Sequence, residues 1–326
     1  MVLEELKSKM RGVFIVMMTP FNQDGSVDYA GMKANTQWLL ENIKPGQYFT
    51  LTPCGSTGEF YAMSDEERIK VLEAVHEVAG GKLTLMAGAA QAGTARTIEM
   101  CKAAQSIGYD GAQVVLPFYH TPSEEGMFNH FKMICEAVDP DFGIQIYNNP
   151  AVAGCWVKPH LMKRISKLPN LISDKENTPN LQAFQKMMEL CDPEDIRIVT
   201  GLGERMYSYA FVAGSHGFVS GLANFAPQIS YALYEAGAND DVRGVRAAMK
   251  HVEAFLRFRD RMNAKYGPTT ALSGTNSYLP LSTWKRAMDM MGLAGGRVRE
   301  PITEITDPAD LEELRQILIS EGLLSG

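Results

Sequence analysis

The sequence predicts an α/β fold, a (β/α)8 barrel followed by a C-terminal helical region. Short β-rich runs recur eight times, and helical patterns lie between successive runs. Each parallel strand needs a crossover connection to the next, so eight alternating strand and helix segments favour a closed TIM barrel over a doubly wound open sheet. The runs cover residues 13–19, 48–52, 82–88, 112–116, 143–147, 171–174, 196–200 and 217–220.

The helix signals support this order. Ser64-x-x-Glu67 forms a capping box, and apolar residues then repeat at helical spacing as far as Ala79. A second helix is expected to start within residues 121–124. After the eighth run, helical patterns cover residues 240–262, 280–291 and 308–321, with a loop at 266–274. We therefore predict a barrel over residues 1–238 and a helical region over residues 239–326.

The composition excludes several classes of function. The 326 residues carry a formal net charge of −7, and no basic stripe is available to follow a phosphate backbone. No apolar run approaches the roughly 18 residues that a membrane span needs. We therefore expect a cytoplasmic protein that binds neither nucleic acid nor membranes.

The sequence shows no pattern for disulfides or metals. Its five cysteines are odd in number and scattered, and no two of them have C-x-x-C spacing. No second histidine or carboxylate stands at metal-ligand spacing from His120. We expect no metal and no cofactor.

Two residues at predicted strand ends suggest imine chemistry. Tyr147 ends the fifth run and Lys175 follows the sixth, so both should lie where barrel enzymes carry their catalytic groups. An amine attacks a ketone only when it is neutral, and burial lowers a lysine pKa. A phenol both donates and accepts a proton, so Tyr147 is a candidate proton carrier; packing at the barrel top is the alternative.

Two loops after other strands carry candidate binding residues. Gly55-Ser-Thr-Gly-Glu59 follows the second run, and its backbone N–H groups and two hydroxyls suit a carboxylate. A turn permitted by its glycines is the simpler alternative. Glu204 follows the seventh run, where it either binds a hydroxylated substrate or caps the next helix.

Taken in order, these motifs resemble those of the pyruvate-dependent class I aldolases, the family that includes dihydrodipicolinate synthase and N-acetylneuraminate lyase. The resemblance extends over nearly the whole chain. The matching segments are Thr19-Pro-Phe21, Gly55-Ser-Thr-Gly-Glu59, Pro117-Phe-Tyr119, Tyr147-Asn-Asn-Pro150, Lys175-Glu176, Gly217-Phe-Val-Ser220 with Asn224, and the tail containing Lys285 and Gly296-Arg-Val-Arg299-Glu-Pro301.

The resemblance implies roles in catalysis and substrate binding for Lys175, Tyr147, Ser56 and Thr57. Lys175 would form the Schiff base with pyruvate or another 2-oxo acid, and Tyr147 would be the central proton carrier. Ser56 and Thr57, beside Gly55, would hold the pyruvate carboxylate and extend the proton relay. The covalent imine would make a separate cofactor unnecessary.

The resemblance also implies an oligomer. Tyr119 matches a tyrosine that reaches across a subunit interface into the partner's site, which implies a homodimer and usually a homotetramer. Val219 would present its backbone carbonyl toward the imine. The implied partners are otherwise small molecules, a 2-oxo acid and an aldehyde.

One departure from the family pattern bears on the substrate. Dihydrodipicolinate synthases carry an arginine two residues after the proline of the tyrosine motif, where it grips the carboxylate of aspartate semialdehyde; this chain has Val152. Loss of that charge pair disfavours the same substrate, although Arg205 is a possible replacement. This chain also differs from the neuraminate lyases, which carry a Tyr-Asp pair where it has Leu202-Gly203. A less polar acceptor pocket is suggested by Phe60, Phe118, Leu202 and Phe225.

The sequence therefore predicts a Schiff-base lyase or aldolase that uses pyruvate or a 2-keto-3-deoxy acid, with reversible C–C bond cleavage or formation at an aldehyde. A 2-oxo acid dehydratase or deaminase is an alternative, because the same imine can expel a leaving group. Dihydrodipicolinate synthase is a further alternative, which Val152 disfavours. A non-catalytic pyruvate-binding paralogue is opposed by the intact Lys175 and Tyr147. The aldehyde and the physiological direction stay open.

Overall fold

The computed structural model describes residues 2–267 and 281–325. Within these segments, eight parallel strands pair in chain order, and the last pairs with the first to close a barrel. All eight predicted runs form strands, which confirms the (β/α)8 TIM barrel. The strands are β1 (Gly12–Val16), β2 (Phe49–Thr52), β3 (Thr84–Gly88), β4 (Gly111–Val115), β5 (Gly143–Asn148), β6 (Leu171–Glu176), β7 (Arg197–Thr200) and β8 (Gly217–Ser220).

Helices alternate with the strands, as predicted. The capping box is present, because the Glu67 N–H donates to the Ser64 hydroxyl and the Ser64 N–H donates to the Glu67 carboxylate. The second expected helix starts at Glu124, after a Ser123 cap. The α-helices of the described segments are α1 (Leu3–Lys9), α2 (Tyr29–Asn42), α3 (Asp65–Ala79), α4 (Thr94–Ile107), α5 (Glu124–Ala137), α6 (Pro150–Ala153), α7 (Pro159–Ile165), α8 (Leu181–Leu190), α9 (Gly203–Ala210), α10 (Pro227–Ala238), α11 (Val242–Tyr266), α12 (Leu281–Met290) and α13 (Pro308–Ser320).

Alternation along the strands divides the barrel core into an outer and an inner part. Ile15, Leu51 and Ile146 face outward and pack in the large core shared with the helices. Phe14 and Val199 face inward and pack with each other inside the barrel. The interior is therefore filled by side chains, and space for a substrate is expected only at the mouth, where the carboxyl ends of the strands lie.

The C-terminal helices build a second core beside the barrel. Phe255 of α11, Trp284 of α12 and Leu314 of α13 are buried together in it. Phe225 is also fully buried there, with its ring against Phe255 and Trp284. Phe225 therefore does not line an acceptor pocket, and that part of the prediction is wrong.

The C-terminal region is helical, as predicted. The predicted boundary after residue 238 coincides with the end of α10, and the division into two domains stays a prediction. The loop expected at 266–274 falls mostly outside the described residues. In the segments that the structure describes, no helix is both long enough and apolar enough to cross a membrane.

Candidate active site

Lys175 and Tyr147 lie side by side near the mouth of the barrel. They are direct partners in the register between β6 and β5, and Tyr147 alternates with the outward-facing Ile146, so both side chains face inward. The Nζ atom of Lys175 lies 3.7 Å from the centroid of the Tyr147 ring. The structure thus brings together the two residues that the sequence places on neighbouring strand ends.

Lys175 is buried without a counter-ion in the described part of the chain. The residue is 3% exposed, and burial lowers the pKa of its amine to about 7. Near pH 7, roughly half of such an amine is neutral, compared with roughly one in a few thousand for an ordinary lysine. Burial therefore supplies the nucleophilic form that imine chemistry needs.

Two carboxyl groups flank Lys175 in sequence but face away from it. Successive side chains of a strand point to opposite faces, so Asp174 and Glu176 point outward toward the helices. Glu176 is held there by hydrogen bonds from the Asn148 amide (2.8 Å) and the Trp156 indole (3.1 Å). Burial raises the pKa of both carboxyl groups, which favours their neutral forms. Neither group neutralises a charge on Lys175.

The Tyr147 phenol has polar neighbours at its oxygen and apolar neighbours around its ring. The Asn149 amide donates a hydrogen bond of 2.7 Å to the phenol oxygen. Burial raises the pKa of Tyr147, and hydrogen bonding to Asn149 and Ser56 lowers it in part. The ring packs in a small apolar cluster of Ala90, Val115, Phe60 and Phe118. Of the four apolar residues predicted to line the acceptor pocket, Phe60 and Phe118 therefore lie at the site.

The loop 55–59 offers backbone donors at the same end of the barrel. The Gly58 N–H donates to the Gly55 carbonyl (3.0 Å), and the Glu59 N–H donates to the Ser56 carbonyl (3.1 Å), which folds the loop into a tight turn. Within the described residues, the N–H groups of Ser56 and Thr57 make no such bond, so they are available to an anion. A Cβ at Gly55 would lie 2.6 Å from Cγ1 of Val16, so the close approach to β1 requires glycine.

A second buried lysine connects this loop to the C-terminal helices. Lys285 of α12 and Glu59 are both fully buried, and Lys285 Nζ lies 2.5 Å from Glu59 Oε1. The same Nζ donates to the Arg297 carbonyl (2.7 Å), while Glu59 Oε2 accepts the Arg299 N–H (2.9 Å). Glu59 has a left-handed backbone with φ 56°, which this network holds in place. The sequence contains both residues in recognised motifs but carries no signal that they pair.

Tyr119 and Val152 lie on the segments that follow β4 and β5, and both are exposed. Tyr119 is 92% exposed, and its φ of 82° places a non-glycine residue in the left-handed region. Its ring contacts that of His120. Val152 on α6 is 43% exposed. The roles of Tyr119 across an interface and of Val152 at the substrate stay predictions.

Glu204 is placed between the barrel and the helical layer. Its Oε1 accepts hydrogen bonds from the hydroxyls of Ser220 (2.5 Å) and Ser230 (2.8 Å), so it joins β8 to α10. This arrangement favours a structural role, and the predicted substrate contact of Glu204 stays untested. Val219 on β8 is 7% exposed, with its side chain in the inner cluster of the barrel; the role of its carbonyl is likewise still a prediction.

Possible metal ligands are dispersed over the structure. In residues 2–267 and 281–325, no group of three or more His, Cys, Asp or Glu side chains is arranged to hold a metal ion. All five cysteines are free thiols. Burial raises the pKa of Cys54, in the loop after β2, to about 12, so this thiol is not a nucleophile near pH 7.

Comparison with known protein families identifies one family that matches nearly the whole chain. The profile of the Dihydrodipicolinate synthetase family matches residues 9–320. The chain belongs to this family. Its members are lyases that act through a Schiff base on a lysine, so the chain is a pyruvate-dependent lyase of the Schiff-base aldolase type, which confirms the predicted family and enzyme class.

Individual relatives are similar over nearly their full length. The 4-hydroxy-tetrahydrodipicolinate synthase of Methanoculleus marisnigri is 29% identical over 313 residues, which cover 95% of this chain and 99% of the relative. The synthase of Koribacter versatilis is 30% identical over 319 residues, 97% of each chain. The crystal structure of dihydrodipicolinate synthase from Oceanobacillus iheyensis matches with a TM-score of 0.84 at 26% identity, covering 99% of this chain and 100% of that one.

Proposed function

We propose that Lys175 forms the Schiff base with pyruvate and that the resulting enamine adds reversibly to an aldehyde that carries no carboxylate. The observation that carries this proposal is the amine of Lys175, which is buried, without an ion pair in the described residues, and seated against Tyr147. Its pKa of about 7 provides both the nucleophile and, after protonation, the acid form near neutral pH.

The chemistry follows from an amine next to a phenol. The neutral amine attacks C2 of pyruvate, and the C2 oxygen takes up protons and leaves as water, which gives an iminium. Loss of a proton from C3 converts the iminium into an enamine. C3 then attacks the aldehyde carbon, a C–C bond forms, and the aldehyde oxygen is protonated. Hydrolysis restores Lys175; Tyr147 carries the protons between these steps, and the reverse sequence breaks the same bond.

The loop 55–59 supplies the anchor for the pyruvate carboxylate in this proposal. The Ser56 side chain interacts with Tyr147, and we propose that the N–H groups of Ser56 and Thr57 and the Ser56 hydroxyl point toward the same side of the mouth. Donors fixed by a tight turn bind a carboxylate without reorganisation. This position would hold the C2 carbonyl of pyruvate between the amine and the phenol.

The surroundings of the site favour an acceptor without a negative charge. Val152 is exposed on the segment after β5, and Phe60 and Phe118 add apolar surface next to Tyr147. Arg205, the alternative cation, forms ion pairs with side chains of α11: Glu253 and Asp260. We therefore propose a neutral or hydroxylated aldehyde as the natural partner.

A second candidate is dihydrodipicolinate synthase itself, because the relatives named above carry that activity in their names. The two candidates differ in their use of aspartate semialdehyde. Without the charged contact that Val152 replaces, this aldehyde should be poorer than a neutral one by about 2–5 kcal/mol, or roughly thirty- to several-thousandfold in kcat/KM. Rates with pyruvate and a panel of aldehydes measure this difference.

The variant Val152→Arg sharpens the test, with Val152→Met as a control of similar length and no charge. Val152 is partly exposed, so the new guanidinium need not be buried. Val152→Arg should improve kcat/KM for aspartate semialdehyde at least tenfold, and Val152→Met should not. Equal use of aspartate semialdehyde and the best neutral aldehyde by the unmodified protein would instead favour the synthase. Release of water or ammonia from a substituted 2-oxo acid, without C–C cleavage, would indicate a dehydratase or deaminase.

The proposal includes at least a homodimer. Tyr119 combines an exposed ring with an unfavourable backbone conformation, and such strain is usually retained where a function needs it. Contact with a second subunit would cover the ring and place the phenol beside the partner's site. Sedimentation at micromolar concentration should give a dimer or tetramer; a fully active monomer would contradict the shared site.

A further inference from the structure

Asn149 lies against the phenol oxygen of Tyr147, the one polar atom of that side chain. The residue is 6% exposed, and its Nδ2 atom lies 2.7 Å from the phenol oxygen. Its Oδ1 atom lies 3.0 Å from the backbone nitrogen of Ala151 and caps α6. The Ala151 N–H is a donor, so it requires the amide oxygen on its side. The amide NH2 must then face the phenol. Its orientation is fixed by the need of the Ala151 N–H for an acceptor, because the two ends of the amide have nearly the same shape.

The backbone next to Asn149 is held in place by the side chain of Asn148. The side chain of Asn148 accepts a hydrogen bond from the Val157 N–H (3.0 Å) and donates one to the Val157 carbonyl (2.9 Å). Asn148 also donates to Glu176 on β6. The Asn149 side chain is therefore kept in place by its own cap and by the bonds of its neighbour.

A donor at the phenol oxygen constrains the proton of the phenol. A tyrosine hydroxyl donates one hydrogen bond, and the Asn149 amide has no acceptor on the side that faces it. The phenol proton must therefore point elsewhere, toward Ser56 or toward a substrate atom above Lys175. When the phenol gives up its proton, the amide hydrogen bond strengthens, because donation to a charged oxygen is stronger than donation to a neutral one.

We propose that Asn149 is a positioning residue that donates its amide hydrogen to Tyr147, directs the phenol proton toward the substrate and stabilises the phenolate during proton transfer. This inference rests on the proposed role of Tyr147. The electrostatics of the phenol point the same way, because the Asn149 hydrogen bond lowers the pKa of Tyr147 against the larger effect of burial. Lys175 is a titratable group that lies over the ring, and the apolar side chains packed with the ring are those of Ala90, Val115, Phe60 and Phe118.

Asn149→Asp is the most direct test. Aspartate keeps the oxygen that caps α6 and nearly the same shape, but it replaces the amide donor with an acceptor. Asn149→Ser is the second variant, because serine also caps a helix but is too short to reach the phenol. The assay follows exchange of the pyruvate methyl protons for deuterium in D2O, which reports enamine formation without an aldehyde. Thermal melts and borohydride trapping with pyruvate accompany each variant.

Both variants should lower kcat for exchange about tenfold or more, as expected for one hydrogen bond to a reacting group, with KM for pyruvate changed less than about threefold. In Asn149→Ser the alkaline limb of the pH profile should move to higher pH, while the limb near pH 7 that belongs to Lys175 should stay. In Asn149→Asp the new carboxylate should move both limbs to higher pH. In a Tyr147→Phe background, already slower by about a hundredfold, the uncharged variant Asn149→Ser should not lower kcat further.

The outcomes separate this inference from the function on which it rests. Unchanged kcat in both variants, or an equal loss from Asn149→Ser with and without the Tyr147→Phe substitution, overturns the role of Asn149, because an effect through the phenol cannot persist without the phenol. Absence of any pyruvate adduct on Lys175 in the unmodified protein overturns the proposed function itself.

Discussion

Lys175 and Lys285 are both buried lysines that face aromatic rings, yet their ammonium groups have opposite surroundings. Lys175 is seated 3.7 Å from the centroid of Tyr147 and has no ion-pair partner in the described residues. Lys285, 4.5 Å from the centroid of Phe21, is bonded to the carboxylate of Glu59. Burial lowers the pKa of both amines, but Glu59 opposes the effect at Lys285 alone.

The difference shows that burial by itself does not create a nucleophile. A buried lysine with a carboxylate partner keeps its charge and holds two parts of the fold together. A buried lysine without a partner loses its proton near neutral pH and becomes reactive. In this chain the paired lysine holds Glu59 of the loop 55–59. Ser56 of the same loop interacts with Tyr147, against which the unpaired Lys175 lies.

Substitution of Lys175 by methionine should have the largest effect. Methionine fills a similar volume but has no amine, so neither imine formation nor its proton transfers remain. Turnover should fall by at least about a thousandfold, and borohydride with pyruvate should add no mass. Peptide mapping of the unmodified protein provides the control: a reduced adduct on any other lysine would contradict the assignment.

The same substitution at the two lysines should change stability in opposite directions. Lys285→Met leaves Glu59 as an unpaired buried charge and should lower the free energy of unfolding by about 3–5 kcal/mol. Lys175→Met removes an amine whose burial is uncompensated, and it should raise that free energy by about 1–4 kcal/mol near pH 7. Urea unfolding at pH 7 measures both changes.

The double variant Glu59→Gln with Lys285→Met is the matched control for this pair, because it removes both charges and should recover most of the lost stability. The pH dependence gives a further check. An unfolded lysine binds its proton up to its ordinary pKa, while folded Lys175 releases it above about 7. The stability of the unmodified protein therefore rises relative to Lys175→Met between about pH 7 and pH 10. Stability changes of the same sign at both lysines would show that Lys175 has an unrecognised partner.

The smallest effect concerns the rate of imine formation as a function of pH. With a pKa of about 7, the neutral fraction of Lys175 falls from about one half at pH 7 to about one tenth at pH 6. Initial trapping rates with pyruvate should fall about fivefold over that interval. A rate that rises steadily to pH 10 instead would indicate an ordinary exposed amine.

Much of the fold and part of the site were predictable. Eight β-rich runs and the capping box at Ser64 are local patterns, so the barrel follows from residues close together in sequence. The pairing of Tyr147 with Lys175 also follows, since consecutive strands of a parallel barrel are neighbours. Phe225 failed as a pocket residue because the sequence marks it as apolar without saying which of two cores it enters.

Asn149 was missed for a related reason. The sequence shows two adjacent asparagines after Tyr147. Strand alternation would put the second on the same face as Tyr147, but the sequence does not show whether the strand continues that far. In the structure Asn148 faces outward and holds Val157, whereas Asn149 turns inward to the phenol. The direction of each side chain depends on the turn into α6, which is set by the surrounding packing.

The sequence by itself determined the order of strands and helices and the presence of a lysine and a tyrosine on adjacent strand ends, because these depend on local periodicity and on chain topology. Its motifs also pointed to the family, through resemblance. Only the tertiary structure decided which buried lysine is charged. Glu59 reaches Lys285 across 226 positions of the chain, while the carboxyl groups adjacent to Lys175 are turned to the opposite face of β6. Charge state depends on distances in space, and sequence proximity does not set those distances.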